Sequence, residues 1–535
     1  MSGTAINEHW PFNYVRRKRR FDRLDWSQLI QSMTRNREYS GTEGFQEGDL
    51  MPQTKIAPPE PRRWLMFAIL LVGAFLPPLD FFIVNVALPS IQDSLGTASS
   101  AEQLIISSYA ALYAVTLITG GRLGDIFGRM RMFFVGLIGF AVASLICGVA
   151  ESPWMLIAGR SLQGVTAAVM APQALASVQA IFPESEKPLA LSLYGAVFGL
   201  ASVVGQALGG ILISLNLMDL GWRAIFLVNL PIAVLVVLIA IPVVKETRAK
   251  QTSKLDLGGT LLSMVTLGAL IVPLIEGREA GWPLSAWLSL AAVPLLAWLF
   301  WHYEARLHQA QGAPLLNPAA LRAPGLGRAL LVALTFYAIG VFFLLFSIYL
   351  QGALHTSPLS AGLVFLPFGA GFLLGPLATH QFRRFLGDYV NPFGMGLEVL
   401  GFVLMAWLVA QTPMTISPAA LPLAVILFLI GFGQGLALPT LMRMITGRVA
   451  PAYSGMIAGI TSSTLQISTS LSVAIIGGIF YTLLGTDTDA AAITHAFTVS
   501  ILCIAACLAV GAGLSLTLAR QPAAELQTAA LRQAE

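Results

Sequence analysis

A chain of 535 residues that is 56% hydrophobic and only 11% charged, with a mean hydropathy of +0.75, excludes a water-soluble globular protein, for which roughly a quarter of residues are charged. The net charge of +4 arises from 31 Lys and Arg against 27 Asp and Glu, and its distribution along the chain is a topological signal that gives no reason to invoke nucleic acid. The apolar residues fall in blocks near the ~20 residues with which a helix crosses ~30 Å of hydrocarbon, too long and too unalternating for barrel strands.

In chain order, residues 1–63 read as a cytoplasmic tail and linker. Within them "YVRRKRRFDRLDWSQLIQSM" is either a basic helix that rests Phe21, Leu24, Trp26, Leu29 and Ile30 on anionic lipid, or a tail whose arginines only hold the N-terminus inside. Met51 is an alternative start, "PQTKIAPPEPRR" a proline-rich linker, and no cleavable signal is expected. Six spans follow at 64 to 90, 102 to 120, 131 to 150, 154 to 181, 189 to 214 and 224 to 244, making a bundle over 64–244. Two inserted helices, 256 to 275 and 284 to 302, occupy 245–305. Six more, at 328 to 350, 358 to 380, 390 to 411, 420 to 441, 453 to 482 and 494 to 517, form a second bundle over 306–517 with its preceding inner loop. Residues 518–535 are a cytoplasmic tail. Fourteen spans put both termini on one side. With that side cytoplasmic, 28 of the 31 Lys and Arg fall inside, Arg223 and Arg278 outside, and Arg160 within a span. The expected protein is therefore an all-α polytopic protein of the plasma (inner) membrane.

Between the second and third spans lies "GGRLGDIFGRMRMF". Gly121 and Gly128 permit a tight connection, Asp125 can cap or face the positive end of a neighbouring helix, and Arg129 and Arg131 anchor at the inner surface. The pattern resembles the signature of the major facilitator superfamily. That resemblance implies an inner gate latch of Gly121, Asp125, Gly128, Arg129 and Arg131, holding two helical bundles together when the site opens outward.

Three further passages agree. "LDFFIVNVALPSI" resembles the first-helix motif of drug:proton antiporters through Asp80, Asn85, Ala87, Leu88 and Pro89. "RSLQGV", with Arg160, Gln163 and Gly164, resembles the superfamily's arginine motif. "GQALGG" resembles the antiporter motif, with Gln206 where that family has proline, so the helix keeps a hydrogen bond and loses a kink. Gly205, Gly209 and Gly210 still give it a small-residue face for close packing. Six spans, two extra and six more resemble the fourteen-helix drug:proton antiporter family, the EmrB/QacA type. In the second half, "RRFLGD" is only an echo of the latch loop.

An ionisable group in mid-membrane costs about 2.5–3.5 kcal/mol on insertion scales and usually faces a cavity or a partner. Asp80, ~15 Å below the outer end of its helix at 1.5 Å per residue, and Arg160, ~10 Å below its own, lie at similar depth. They are expected to form the proton-coupling pair, the alternative being a static ion pair that fixes packing. Glu398, in the second bundle, is a candidate substrate or second proton site, as are Asn85 and Gln163. Tyr109, Tyr113, Phe198, Phe336 and Tyr337 are available to line a pocket for flat organic cations.

No GxxxxGK loop, no Ser, His and acid set and no metal-ligand spacing among the six histidines are present, which argues against an ATP-driven pump and an enzyme. Cys147, Cys503 and Cys507 read as small apolar residues. The expected function is proton-coupled efflux of amphipathic, cationic or lipophilic toxic compounds by alternating access, with protons, lipid and a small organic substrate as partners and no cofactor beyond the proton gradient. Export of one dedicated metabolite or antibiotic is the alternative, a non-transporting sensor a third. Whether accessory envelope proteins take part is left open.

Overall fold

A computed structural model describes residues 62–520 except 184, 244–245, 247–254, 311, 313, 317–320, 412–420, 450–453 and 486–488. The basic segment near the N-terminus, the linker before Arg62 and most of the C-terminal tail lie outside the described residues. Every regular element described is helical. Hydrocarbon offers no water to a backbone N–H, so each pass must satisfy its own hydrogen bonds.

The helices are α1 (Arg63–Leu95), α2 (Ser99–Phe127), α3 (Arg129–Gly148), α4 (Pro153–Ile181), α5 (Lys187–Leu215), α6 (Gly221–Ala240), α7 (Leu257–Glu279), α8 (Leu284–Gln309), α9 (Leu326–Ala353), α10 (Pro358–Val364 and Leu366–Leu386), α11 (Val390–Gln411), α12 (Leu421–Thr446), α13 (Ser454–Leu484) and α14 (Ala490–Ala519). Among the described residues, eleven stretches are long and apolar enough to cross a membrane. One of them, 358–411, folds back at Gly387–Tyr389 into α10 and α11, and α4 and α5, 29 residues each, complete fourteen passes. Successive helices alternate in direction. The connections after α2, α4, α6, α8, α10 and α12 thus share one face, termed the basic face because Arg129, Arg131, Arg383 and Arg384 lie on it.

Several ends differ from the sequence reading. The first helix runs on to Leu95, past Pro89, and stops where Gly96 adopts φ 60° and returns its N–H to Gln92 O. Such a left-handed stop suits glycine, which lacks the Cβ that makes it strained. The sixth pass opens three residues early, with a 3-10 turn at Gly221–Arg223, and its helix ends at Ala240. The ninth is not uniform: α-helix to Phe336 tightens to 3-10 over Tyr337–Val341 and widens to a π-turn at Tyr349–Ala353.

Helices α1–α6 pack as one bundle and α9–α14 as another. The inserted α7 lies at their seam against α2 and α13, and α8 packs on α7. Of α8 only Ala286 and Glu304 are buried, while Trp287, Leu288, Leu295 and Trp298 are exposed, as suits a lipid-facing helix. Elsewhere the bundles meet directly. Phe82 of α1 packs edge-on against Phe343 of α9 with ring centroids 4.8 Å apart, and Gln351 donates to Val86 O at 3.0 Å. Across α2 and α13, Ser463 donates to Ala114 O at 2.7 Å and Ser470 to Ser107 O at 3.1 Å.

In lipid, helices hold together chiefly by close packing of small residues. Gly120 is the sharpest case: a Cβ there would run into the Ala168 carbonyl and stand 3.0 Å from Val169 Cα, both on the backbone of α4. Gly120→Val is therefore expected to force α2 from α4 at a cost of ~1–3 kcal/mol. A lowered melting temperature of the purified protein in detergent would register it, and an unchanged one would contradict this packing.

Candidate functional site

Polar side chains from five helices converge inside the first bundle. Asp80 of α1 and Arg160 of α4, both fully buried, form an ion pair through Arg160 Nη1 and Asp80 Oδ2. Gln163 stands one turn along α4 from Arg160. Its Oε1 accepts from Arg160 Nη1 at 2.8 Å, while its Nε2 donates to Asp80 Oδ1 at 3.0 Å and to Ser144 Oγ of α3 at 2.9 Å. Asn229 of α6 donates to the same Asp80 oxygen at 3.1 Å and to Ser144 at 3.2 Å. Arg160 Nε donates to Ile105 O of α2 at 3.1 Å, and its guanidinium carbon lies 4.2 Å from the centre of the Tyr109 ring. That ring is itself held, since Tyr109 donates to Pro77 O at 3.0 Å.

Both Asp80 oxygens thus have donors, and both charges are removed from water. Desolvating such a pair costs several kcal/mol per ion, which only good geometry and further hydrogen bonds offset. The additional donors and the aromatic face supply part of that offset, while Arg160 Nη2 is buried without a hydrogen-bond partner among the described residues. Local chain chemistry places the pair. Gly205 and Gly209 let α5 approach α1 beside Asp80: a Cβ at Gly205 would sit 2.9 Å from Leu79 O, and one at Gly209 would sit 3.0 Å from Ile83 O. Gly210 does the same against α10, where Leu359 Cα lies 2.9 Å from its would-be Cβ.

Ser144 and Asn229 escaped the sequence reading. A lone Asn in "FLVNLPIAVLVVLIA" was the available signal for the second. Serine gives none, because its hydroxyl ordinarily satisfies itself on a carbonyl one turn back.

The other candidates lie apart from this cluster. Asn85 donates to Phe81 O of its own helix at 2.6 Å, and its buried Oδ1 has no partner among the described residues. Glu398 is fully buried in α11, beside Gly433 of α12, and neither carboxyl oxygen has a hydrogen-bond partner among the described residues. Gln206 is buried with both amide atoms unpartnered in the same sense, while its backbone carbonyl packs against Gly362 of α10. An unsatisfied buried amide costs about 1–3 kcal/mol. Gln206→Leu is therefore expected to raise the melting temperature without loss of insertion, and a marked fall would show that the amide has a partner in the working protein. Tyr109 and Tyr113 stack with centroids 6.0 Å apart, whereas Phe336 and Tyr337 belong to the second bundle. The side chain of Phe198 lies outside the described residues.

At the basic face, Gly128 bridges α2 and α3 at φ 108°, a conformation that favours glycine. Asp125 pairs with Arg129 at 3.2 Å, and Arg129 donates to Ala176 O of α4 at 2.7 Å. Glu246, just beyond α6, accepts the N–H groups of Met130 and Arg131 at 3.1 and 3.2 Å. It is Glu246, and not Asp125, that meets the positive end of α3. These bonds tie the loop to its own bundle. Gly121 has no close neighbour, the nearest atom to its would-be Cβ being Pro172 Cβ at 3.9 Å. The echo loop holds an exposed pair, Asp388 with Arg443, at 3.1 Å.

Among the described residues no three His, Cys, Asp or Glu side chains are grouped to hold a metal. The model of the Major Facilitator Superfamily matches residues 70–473. A probable actinorhodin transporter of Streptomyces coelicolor is 34% identical over 436 residues, covering 81% of this chain and 75% of that protein. A puromycin resistance protein of Streptomyces alboniger is 36% identical over 425 residues, covering 78% and 82%. The solved structure of a bacterial homologue of the human lysosomal transporter Spinster superposes with a TM-score of 0.62 at 14% identity, over 89% of this chain and 99% of that one, a likeness of fold alone. The chain belongs to the Major Facilitator Superfamily and is a multi-pass membrane transporter of small molecules, not an enzyme.

Proposed function

We propose that the transporter exports amphipathic, cationic or lipophilic toxic compounds in exchange for protons, from a plasma membrane in which the basic face is cytoplasmic. The buried Asp80 and Arg160 pair carries this reading, because a carboxylate kept in mid-membrane with an exchangeable partner is the simplest carrier for a proton. In one state Asp80 is ionised and held by Arg160, Gln163 and Asn229. When the bundles rock and the pair separates, Asp80 takes a proton, and the return movement releases it on the other side. Glu398 is the corresponding candidate in the second bundle, for a second proton or for a substrate cation. The loop of Gly121, Asp125, Gly128, Arg129 and Arg131 serves as the inner latch, with Glu246 as its anchor to α6.

Relatives named for actinorhodin and puromycin support efflux, and they also favour the narrower reading of an exporter dedicated to one antibiotic or metabolite. Efflux of a monovalent cationic dye from energised cells, with and without a protonophore, tests the proposal. Low dye accumulation that rises to the level of cells lacking the protein when the protonophore is added is the expected result. Accumulation as in cells lacking the protein, despite confirmed insertion, would overturn export of such dyes and turn attention to single metabolites.

A further inference from the structure

A second pair of acids lies at the basic face, away from Asp80. Asp256 precedes α7 and Glu304 sits near the end of α8, and they are 4% and 0% exposed. Asp256 caps α7: its Oδ1 accepts from Gly259 N–H at 2.7 Å, and its Oδ2 accepts from Leu315 N–H at 3.0 Å. Glu304 Oε2 accepts from the next amide, Leu316, at 2.9 Å. The short stretch ahead of α9 is thus fastened to both inserted helices by two adjacent amides. Arg122 of α2 fastens it a third time, donating to Pro314 O.

The other Glu304 oxygen, Oε1, is buried without a hydrogen-bond partner among the described residues. It points at Asp256: both Glu304 Oε1 and Asp256 Oδ2 crowd the place where a Cβ on Gly259 would stand, and the two carboxyl groups lie within hydrogen-bonding reach. Two carboxylates so placed repel and have no donor between them. A single shared proton supplies the donor and removes one charge.

The groups facing the pair are few. Among the described residues these are Arg122 from α2 and Tyr303 from α8, while the 314–316 stretch contributes only backbone. Burial works to raise Asp256, but the amides of Gly259 and Leu315, together with Glu304 and Tyr303, hold its carboxyl below the usual value.

We propose that Asp256 and Glu304 bind one proton between them, forming a protonation site separate from Asp80, whose occupancy clamps the stretch before α9 to the inserted helices. With the proton bound, the pair carries one negative charge beside Arg122 and both amide bonds hold. With the proton lost, two buried negative charges push apart and the stretch is released. The clamp joins α2 of the first bundle, the inserted helices and the entry to the second bundle. It therefore makes the freedom of the bundles dependent on pH at the basic face.

The test is hydrogen exchange at Leu315 and Leu316 in the full chain in lipid nanodiscs, corrected for the intrinsic pH dependence of exchange. In the wild type, protection is expected to fall about tenfold or more as the pH is raised through the range in which the shared proton is lost and the clamp opens. Glu304→Gln carries its own N–H donor toward Asp256, so its protection should stay high and flat across that range. Asp256→Asn serves as the second variant: its single oxygen can keep only one of the two N–H bonds of Asp256, so its profile should be flat with pH but with Leu315 less protected than in the wild type at low pH. An infrared carboxylic-acid band lost in either variant would report the proton itself. Flat wild-type protection, or a Glu304→Gln profile that falls like the wild type, overturns the proposal. Asp80→Asn should leave the profile unchanged, so failure here is distinguishable from failure of proton-coupled export.

Discussion

Asp80→Asn is expected to abolish protonophore-sensitive export while leaving the protein inserted and folded. The side chain keeps its shape, and its Oδ1 can still accept from Gln163 and Asn229, the donors now 3.0 and 3.1 Å away. Arg160 loses its countercharge but retains Gln163 Oε1, Ile105 O and the face of Tyr109, so the guanidinium is not left bare. What disappears is a group that can gain and lose a proton. Efflux in energised cells should fall to the level of cells lacking the protein, at least a tenfold loss, equivalent to about 1.4 kcal/mol or more. Asp80→Glu should retain part of it, because the chemistry survives and only the reach changes. Normal export by Asp80→Asn at normal membrane abundance would refute the role given to this residue.

Arg160→Ala is expected to do more damage to the fold. Removing one partner of a buried ion pair leaves an uncompensated charge and costs about 3–5 kcal/mol. Here the loss also opens a void under Tyr109, removes the side-chain donor from Ile105 O and leaves Gln163 Oε1 only the weak Cys147 thiol at 3.5 Å. Reduced membrane abundance and a sharply lowered melting temperature should follow. The double variant Asp80→Asn with Arg160→Gln removes both charges together. It should recover much of the stability while remaining unable to transport, the pattern expected of coupled sites. If Arg160→Ala were as stable as the wild type, the pair would not be buried as described.

The fourteen passes were legible because lipid forces each crossing to be a continuous apolar helix, which leaves blocks that no soluble core would contain. Their ends were less so. Nothing in "LPSIQDSL" says that α1 continues to Leu95 until Gly96 turns the backbone left-handed. Asp80, Arg160 and Gln163 stood out as charges and an amide inside apolar runs. Ser144 and Asn229 did not, because small neutral polar groups are cheap to bury and frequent in spans. Glu246 and the pair Asp256 and Glu304 sit where spans give way to loops, and acids there look merely solvated. Only the folding of α8 back onto α7 brings Glu304, 48 positions along the chain, to Asp256.

Proton release on substrate binding tests the central claim most directly. Purified protein in a lightly buffered solution, with a pH indicator, would receive a cationic substrate shown to be exported in cells. Wild type should release protons as the substrate binds. Asp80→Asn should bind the substrate and release none through this site. Equal proton release from the wild type and Asp80→Asn would contradict Asp80 as the carrier.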